Sequence, residues 1–146
     1  MIRREDVHVA LFNAMTALGA FKIVSRRNRA PESIGPELSP ALFLLQDGET
    51  YDVPSPGSPP SKRCLHVLAC LYNDVGSDLN ATPTTAFNDA LDALDAFFRA
   101  VNPATGRITL GGLVYSVTRA PGRSEGSPGD REGKAVEIIP IDIVFP

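Results

Sequence analysis

Few side chains in this 146-residue chain have the type and spacing that chemistry needs. Cys64 and Cys70 lie six positions apart in "RCLHVLACLYN", with His66 between them. Six positions of extended strand span about 20 Å, whereas a disulfide needs Cα atoms within roughly 7 Å. The two thiols are therefore expected to stay free. Metal binding requires further ligands at close spacing, and the sequence places only His66 near the cysteines, so no metal site is expected. His66, flanked by Leu65 and Val67, reads as a packed or solvated strand histidine. His8 has only Glu5 and Asp6 nearby, both too close along a helix to face it, and reads as a surface residue.

Two motif-like stretches fail on context. "GRSEG" (122–126) has the letters of a serine-hydrolase nucleophile elbow, but that chemistry needs a strand leading in and a helix leading out. Pro121, Pro128 and Gly129 deny it the helix, and it reads as a hairpin tip. Gly111-Gly112 lacks the lysine, third glycine and following helix of a phosphate-binding loop. No catalytic residue and no cofactor is expected. Two charged clusters remain. "SRRNR" (25–29) carries Arg26, Arg27 and Arg29 with no interleaved aromatic to stack on bases, so it reads as a solvated turn or a protein contact. Asn88, Asp92 and Asp95 read as a solvated helix face, with an Asp95–Arg99 pair adding about 0.3–0.5 kcal/mol.

The elements that hold these residues follow from periodicity. Val7, Ala10, Leu11, Ala14 and Leu18 fall at helical spacing, and Gly19 stands where a helix ends. "FKIVS" (21–25) predicts a short strand, and a proline-bearing loop covers 26–39. "PALFLLQDGETY" (40–51) opens on an unbroken apolar run and predicts a strand buried on both faces, ending at a turn signal. The four prolines of 52–62 fix φ and remove donors, which makes that stretch an exposed arm or hairpin loop. Residues 63–73 predict the longest strand, with Leu65, Val67, Ala69 and Leu71 on one face. In "TPTTAFNDALDALDAFFRAV" Thr82 can cap a helix, Pro83 suits its first turn, and Phe87, Leu91, Leu94 and Phe98 form one stripe. Two strands, 107–120 and 133–145, close the chain around the loop 121–132. In the last, Ala135, Ile139, Ile141, Ile143 and Phe145 share a face, Glu137 is the exception, and Pro140 implies an edge strand or a bulge. The order α-β-β-β-α-β-β predicts an α+β fold, a mixed and mainly antiparallel sheet flanked by two helices.

Composition agrees. At 43% hydrophobic residues, 146 positions suffice for one domain with a real core. The net charge of −3 argues against a dedicated nucleic-acid binder. No apolar run approaches the roughly 18 residues of a membrane span. The N-terminus reads as a helix start rather than a signal peptide, and two free thiols suit a reducing cytoplasm. With no chemistry to assign, what remains is a compact body with projecting loops, the parts of an assembly subunit.

Four stretches then carry a likeness: "SRR" (25–27), "PALFLLQDGETY", "NPATGRITLGGLVYSVTRA" and "GKAVEIIPIDIVFP". Most specific is "TLGGLVYSV" followed some twenty residues later by "AVEIIPIDIVFP". In these the chain resembles the tail-terminator proteins of long-tailed bacteriophages, the lambda minor tail protein U type. The resemblance implies an α+β subunit of a hexameric ring that docks on the last ring of the tail tube, stops its growth and presents the surface for head-tail joining. It implies the tail tube protein and a head-tail connector or neck protein as partners, with viral DNA passing through the lumen unbound and no membrane contact. The place implied is the virion tail or neck, after assembly in the host bacterial cytoplasm. No catalytic residues carry over, and the arm at 55–61 is richer in proline than the family pattern. Another neck, head-completion or tail-tube protein is the alternative. Contact residues are expected on the loops: Arg26, Arg27 and Arg29; Asp52, Ser55, Ser58 and Lys62; Arg123, Glu125, Asp130 and Arg131.

Overall fold

The computed structural model describes residues 1–120, 125–131 and 133–146. Its elements run α1 (Arg4–Ala17), β1 (Ile23–Ser25), two short 3-10 turns (Pro31–Ser33 and Pro36–Leu38), β2 (Ala41–Asp52), β3 (Lys62–Asp74), α2 (Pro83–Arg99), β4 (Ser116–Arg119), β5 (Glu125–Arg131) and β6 (Lys134–Phe145). The fold is α+β. The sheet runs β1-β2-β3-β6-β4, with β5 also paired to β6; β1 is parallel to β2 and the other pairings are antiparallel.

One face of the sheet carries the main core. Alternation along β3 puts Leu65, Val67, Ala69 and Leu71 on that face, and β6 adds Ala135, Ile139, Ile141, Ile143 and Phe145, all buried. Val7, Leu11 and Met15 of α1 and Phe87, Ala90 and Leu94 of α2 close over them. The α2 stripe is thus centred on Phe87, Ala90 and Leu94, while Leu91 and Phe98 pack from its margin, partly exposed. Thr82 makes no side-chain cap; Pro83 occupies the first turn instead.

The opposite face is covered only in part. Ile34, from the segment between β1 and β2, packs with Ala41, Phe43, Cys70 and Tyr72 in a second, smaller cluster. Hence β2 is buried on both faces only over residues 41–44 and turns outward beyond.

Four expectations need correction. The stretch 107–120 is not one strand: Leu110, Gly111 and Gly112 take φ of 48°, 72° and 89° and turn the chain, leaving only Ser116–Arg119 as β4. Residues 125–131, expected within a loop, pair with β6 as β5. Strand β6 is no edge, since β3 lies on one side and β4 and β5 on the other. Pro140 is tolerated because its carbonyl, which accepts from Ala120 N at 2.9 Å, points to the side where β4 gives way to β5. Its missing N–H faces that same gap, and the ladder to β3 runs through Pro140 opposite Leu68 without a shift. The fourth concerns the end of β2. The turn signal at Asp47-Gly48 does not end the strand but makes a bulge: Gln46 pairs Val67 and Glu49 pairs Leu65, leaving two residues opposite His66. Gly48 supplies the positive φ, 104°, that such a bulge needs.

Candidate functional site

That bulge decides which side chains share the uncovered face. Ahead of it, even-numbered residues of β2 such as Leu42 and Leu44 face the helices. Past it the phase is inverted. Glu49 now sits on the helix side, where Arg4 of α1 binds its carboxylate, with Arg4 Nη2 at 3.0 Å. Thr50 faces the open side, directly across from Cys64.

On β3, Cys64 and His66 are two residues apart and so point the same way, and Asp142 of β6 lies opposite His66 in register. The result is a polar cluster on three adjacent strands. His66 Nδ1 stands 2.7 Å from Asp142 Oδ1, and His66 Nε2 stands 3.1 Å from Thr50 Oγ1. The sulfur of Cys64, a ring nitrogen of His66 and a carboxylate oxygen of Asp142 all lie within 4.8 Å of one another. Burial pushes the Cys64 thiol up from its ordinary pKa, and the Asp142 charge adds to this; Thr50 and the Ile143 backbone N–H oppose it. His66 and Asp142 keep about a third of their side-chain surface exposed. Asp142 is the residue missed by sequence reasoning. No local signal marks it, because it comes from 76 positions away through the β3–β6 register.

A hydroxyl–imidazole–carboxylate chain can relay a proton, but hydrolytic use also needs fixed donors for an oxyanion and a substrate cleft. Three grooves, of about 440, 720 and 270 Å³, are lined by other residues. Cys64 and Cys70 are both free, as their shared strand requires.

His8 is not a surface residue. It is 7% exposed, packed beside Val7 and Leu11 on the inner side of α1, and its Nε2 makes no hydrogen bond. Burial first, and then the Arg26 charge, push its pKa down, with Glu5 and Glu49 pulling the other way. The Asp95–Arg99 pairing is also replaced: Asp95 reaches across to Arg119 of β4 at 3.3 Å.

The loop residues fall into separate groups. Arg26 grips Glu5 of α1 through two contacts of 2.5 and 3.1 Å, and it borders the 440 Å³ groove with Val9, Phe12 and Val24. Arg27 and Arg29 stand exposed beyond it. Asp52 and Lys62 are cross-strand partners at the mouth of the β2–β3 hairpin, and the Ser55 and Ser58 hydroxyls bond to each other in its loop. Tyr51 and Val53 add exposed apolar surface there. Glu125, Asp130 and Arg131 belong to β5, and Arg123 lies outside the described residues.

These groups do not converge. The register pairs Arg63 with Phe145 at one end of β3 and Asp74 with Lys134 at the other. The hairpin arm and the β5–β6 turn therefore stand at opposite ends of the sheet, roughly 40 Å apart at about 3.3 Å per residue. No protein-family model and no curated protein sequence matches the chain.

Proposed function

We propose that this protein is a phage tail terminator: a subunit of a hexameric ring that caps the tail tube, stops its polymerisation and offers the interface for head-tail joining. The observation that carries this reading is the separation of two segments, the β2–β3 hairpin arm and the β5–β6 turn, to opposite ends of one sheet. A tube grows because each ring offers a face complementary to the next, a heterologous contact that never closes. A terminator must match the tube on one face and fail to match itself on the other. The hairpin arm, with Asp52, Ser55, Ser58 and Lys62, supplies one end; the β5 segment, with Glu125, Asp130 and Arg131, supplies the other. The likeness of 102–120 and 133–146 to the terminator family supports the same reading, and the α+β fold described above is the one that this likeness implies.

On this proposal the role is structural rather than enzymatic. The partners are further copies of the chain, the tube protein and a connector or neck protein, in the virion, after assembly in the bacterial cytoplasm. DNA passes through the lumen without specific contacts. Electron microscopy of particles made without the protein tests it: tails of irregular excess length beside filled, tailless heads are expected. Normal-length headless tails would place the protein in the neck instead, and absence of any tube would make it the tube subunit.

A further inference from the structure

We propose that Cys64, His66 and Asp142 form a binding site for a zinc-class transition-metal ion, with solvent as the fourth ligand. This site goes beyond the ring-subunit reading and stands or falls apart from it.

Three features of the cluster point to a metal rather than to an ordinary ion pair. The first is the donor set. A thiol, an imidazole and a carboxylate are together the nitrogen, sulfur and oxygen ligands that zinc takes, and thiolate disfavours magnesium or calcium. The second is geometry. Ligands of one tetrahedral zinc lie about 3.3–3.8 Å apart, given bonds of about 2.0–2.3 Å. The three donor atoms already fall within 4.8 Å of one another. The 2.7 Å between His66 Nδ1 and Asp142 Oδ1 is the length of a hydrogen bond with one shared proton. An ion that takes the proton's place needs that pair to open by only about 0.6 Å. The third is the frame. All three residues sit within the paired β3–β6 ladder, and Cys64, one pair in from its end, is also paired with Thr50 of β2, so their backbones are fixed before any ion arrives. Thr50, across from Cys64 and bonded to His66 Nε2, holds the imidazole from its other side. The open face leaves room for a water ligand. On binding, the Cys64 thiol proton is released to solvent as the sulfur–metal bond forms.

The experiment uses the full-length protein, stripped with a chelator and then titrated with Zn²⁺ by calorimetry and with Co²⁺ by absorption. One ion per chain is expected, with a Kd tighter than about 10 μM and a thiolate-to-cobalt charge-transfer band. Cys64→Ser should abolish the band, and Asp142→Asn should weaken zinc binding at least about tenfold. Cys70→Ala, which alters the other thiol, should change neither. Zinc should also slow alkylation of Cys64 in the unmutated protein, a measurement that needs no variant to fold. A Kd weaker than about 10 μM, a cobalt spectrum without the band, or Cys64 alkylated equally fast with zinc present would overturn the site.

Discussion

Leu94 carries the sharpest stability prediction, because its neighbours on α2 provide the controls. It is 1% exposed, on the helix face that packs with Phe87 and Ala90 over the sheet. Leu94→Ala removes three carbons. At about 0.8 kcal/mol per buried CH₂ the transfer loss alone is about 2.4 kcal/mol, and the cavity left between α2 and a rigid sheet raises it to about 3–4 kcal/mol. For a domain of this size, at roughly 2–4 °C per kcal/mol, the melting temperature should fall by about 6–16 °C. Leu91 is partly exposed at the margin of the same core and should cost about 1–1.5 kcal/mol on truncation. Asp92→Ala, on the exposed face, should stay within about 0.5 kcal/mol. Urea unfolding at constant m-value ranks the three variants directly. If Leu91→Ala proves as costly as Leu94→Ala, or Asp92→Ala exceeds both, the helix phase is wrong.

Gly133 has φ of +81°, and a Cβ there would stand 2.3 Å from the Gly76 carbonyl oxygen, so Gly133→Ala should cost about 3 kcal/mol or more. Gly19→Ala has a similar φ of +67° but open space, and should cost about 1 kcal/mol; equal losses in thermal melts would refute the close approach. His8 has a folded pKa below its ordinary 6.5, so the unfolded chain binds the proton more readily. The stability this contributes is complete above pH 6.5 and is lost as the pH falls below it. His8→Leu should therefore flatten the stability profile as the pH falls below 6.5, relative to wild type, and an unchanged slope in paired urea titrations would show that His8 is not the group responsible.

Strands with strict alternation were readable from local pattern. Leu65, Val67, Ala69 and Leu71 repeat at period two, and burial follows that period residue by residue. The closing strand was readable for the same reason, Ile139, Ile141, Ile143 and Phe145 being its inner side. Pattern failed where the backbone departs from regular φ/ψ while its side chains stay apolar. "TLGGLVYS" has the hydrophobicity of a strand, yet three successive positive φ values fold it into a turn, while Val114 within it and Ile108 just before it still reach the core. His8 misled for a different reason. Polarity places an isolated histidine outside, but the inner side of α1 is wide enough to take in the position next to Val7, at the cost of one unsatisfied nitrogen.

The polar cluster could not be read from spacing, because two of its four members are placed by long-range register. Cys64 and His66 are visible as an i, i+2 pair on one strand. Asp142 joins them only because β6 pairs with β3 so that residue numbers sum to a constant across twelve consecutive pairs, with Pro140 accommodated rather than shifting the ladder. Had Pro140 forced the bulge that the sequence allows, Asp142 would have turned to the helix side and met Ile141's neighbours in the core, where an unpaired carboxylate is costly. Thr50 depends on the opposite event. Without the bulge at Gly48 it would share the helix face with Leu42 and Leu44, and Glu49 would stand outside, away from Arg4. One irregularity suppressed in β6 and one admitted in β2 thus bring a thiol, an imidazole, a carboxylate and a hydroxyl to the same patch. Both choices lie in backbone pairing, which the order of residue types along the chain does not express.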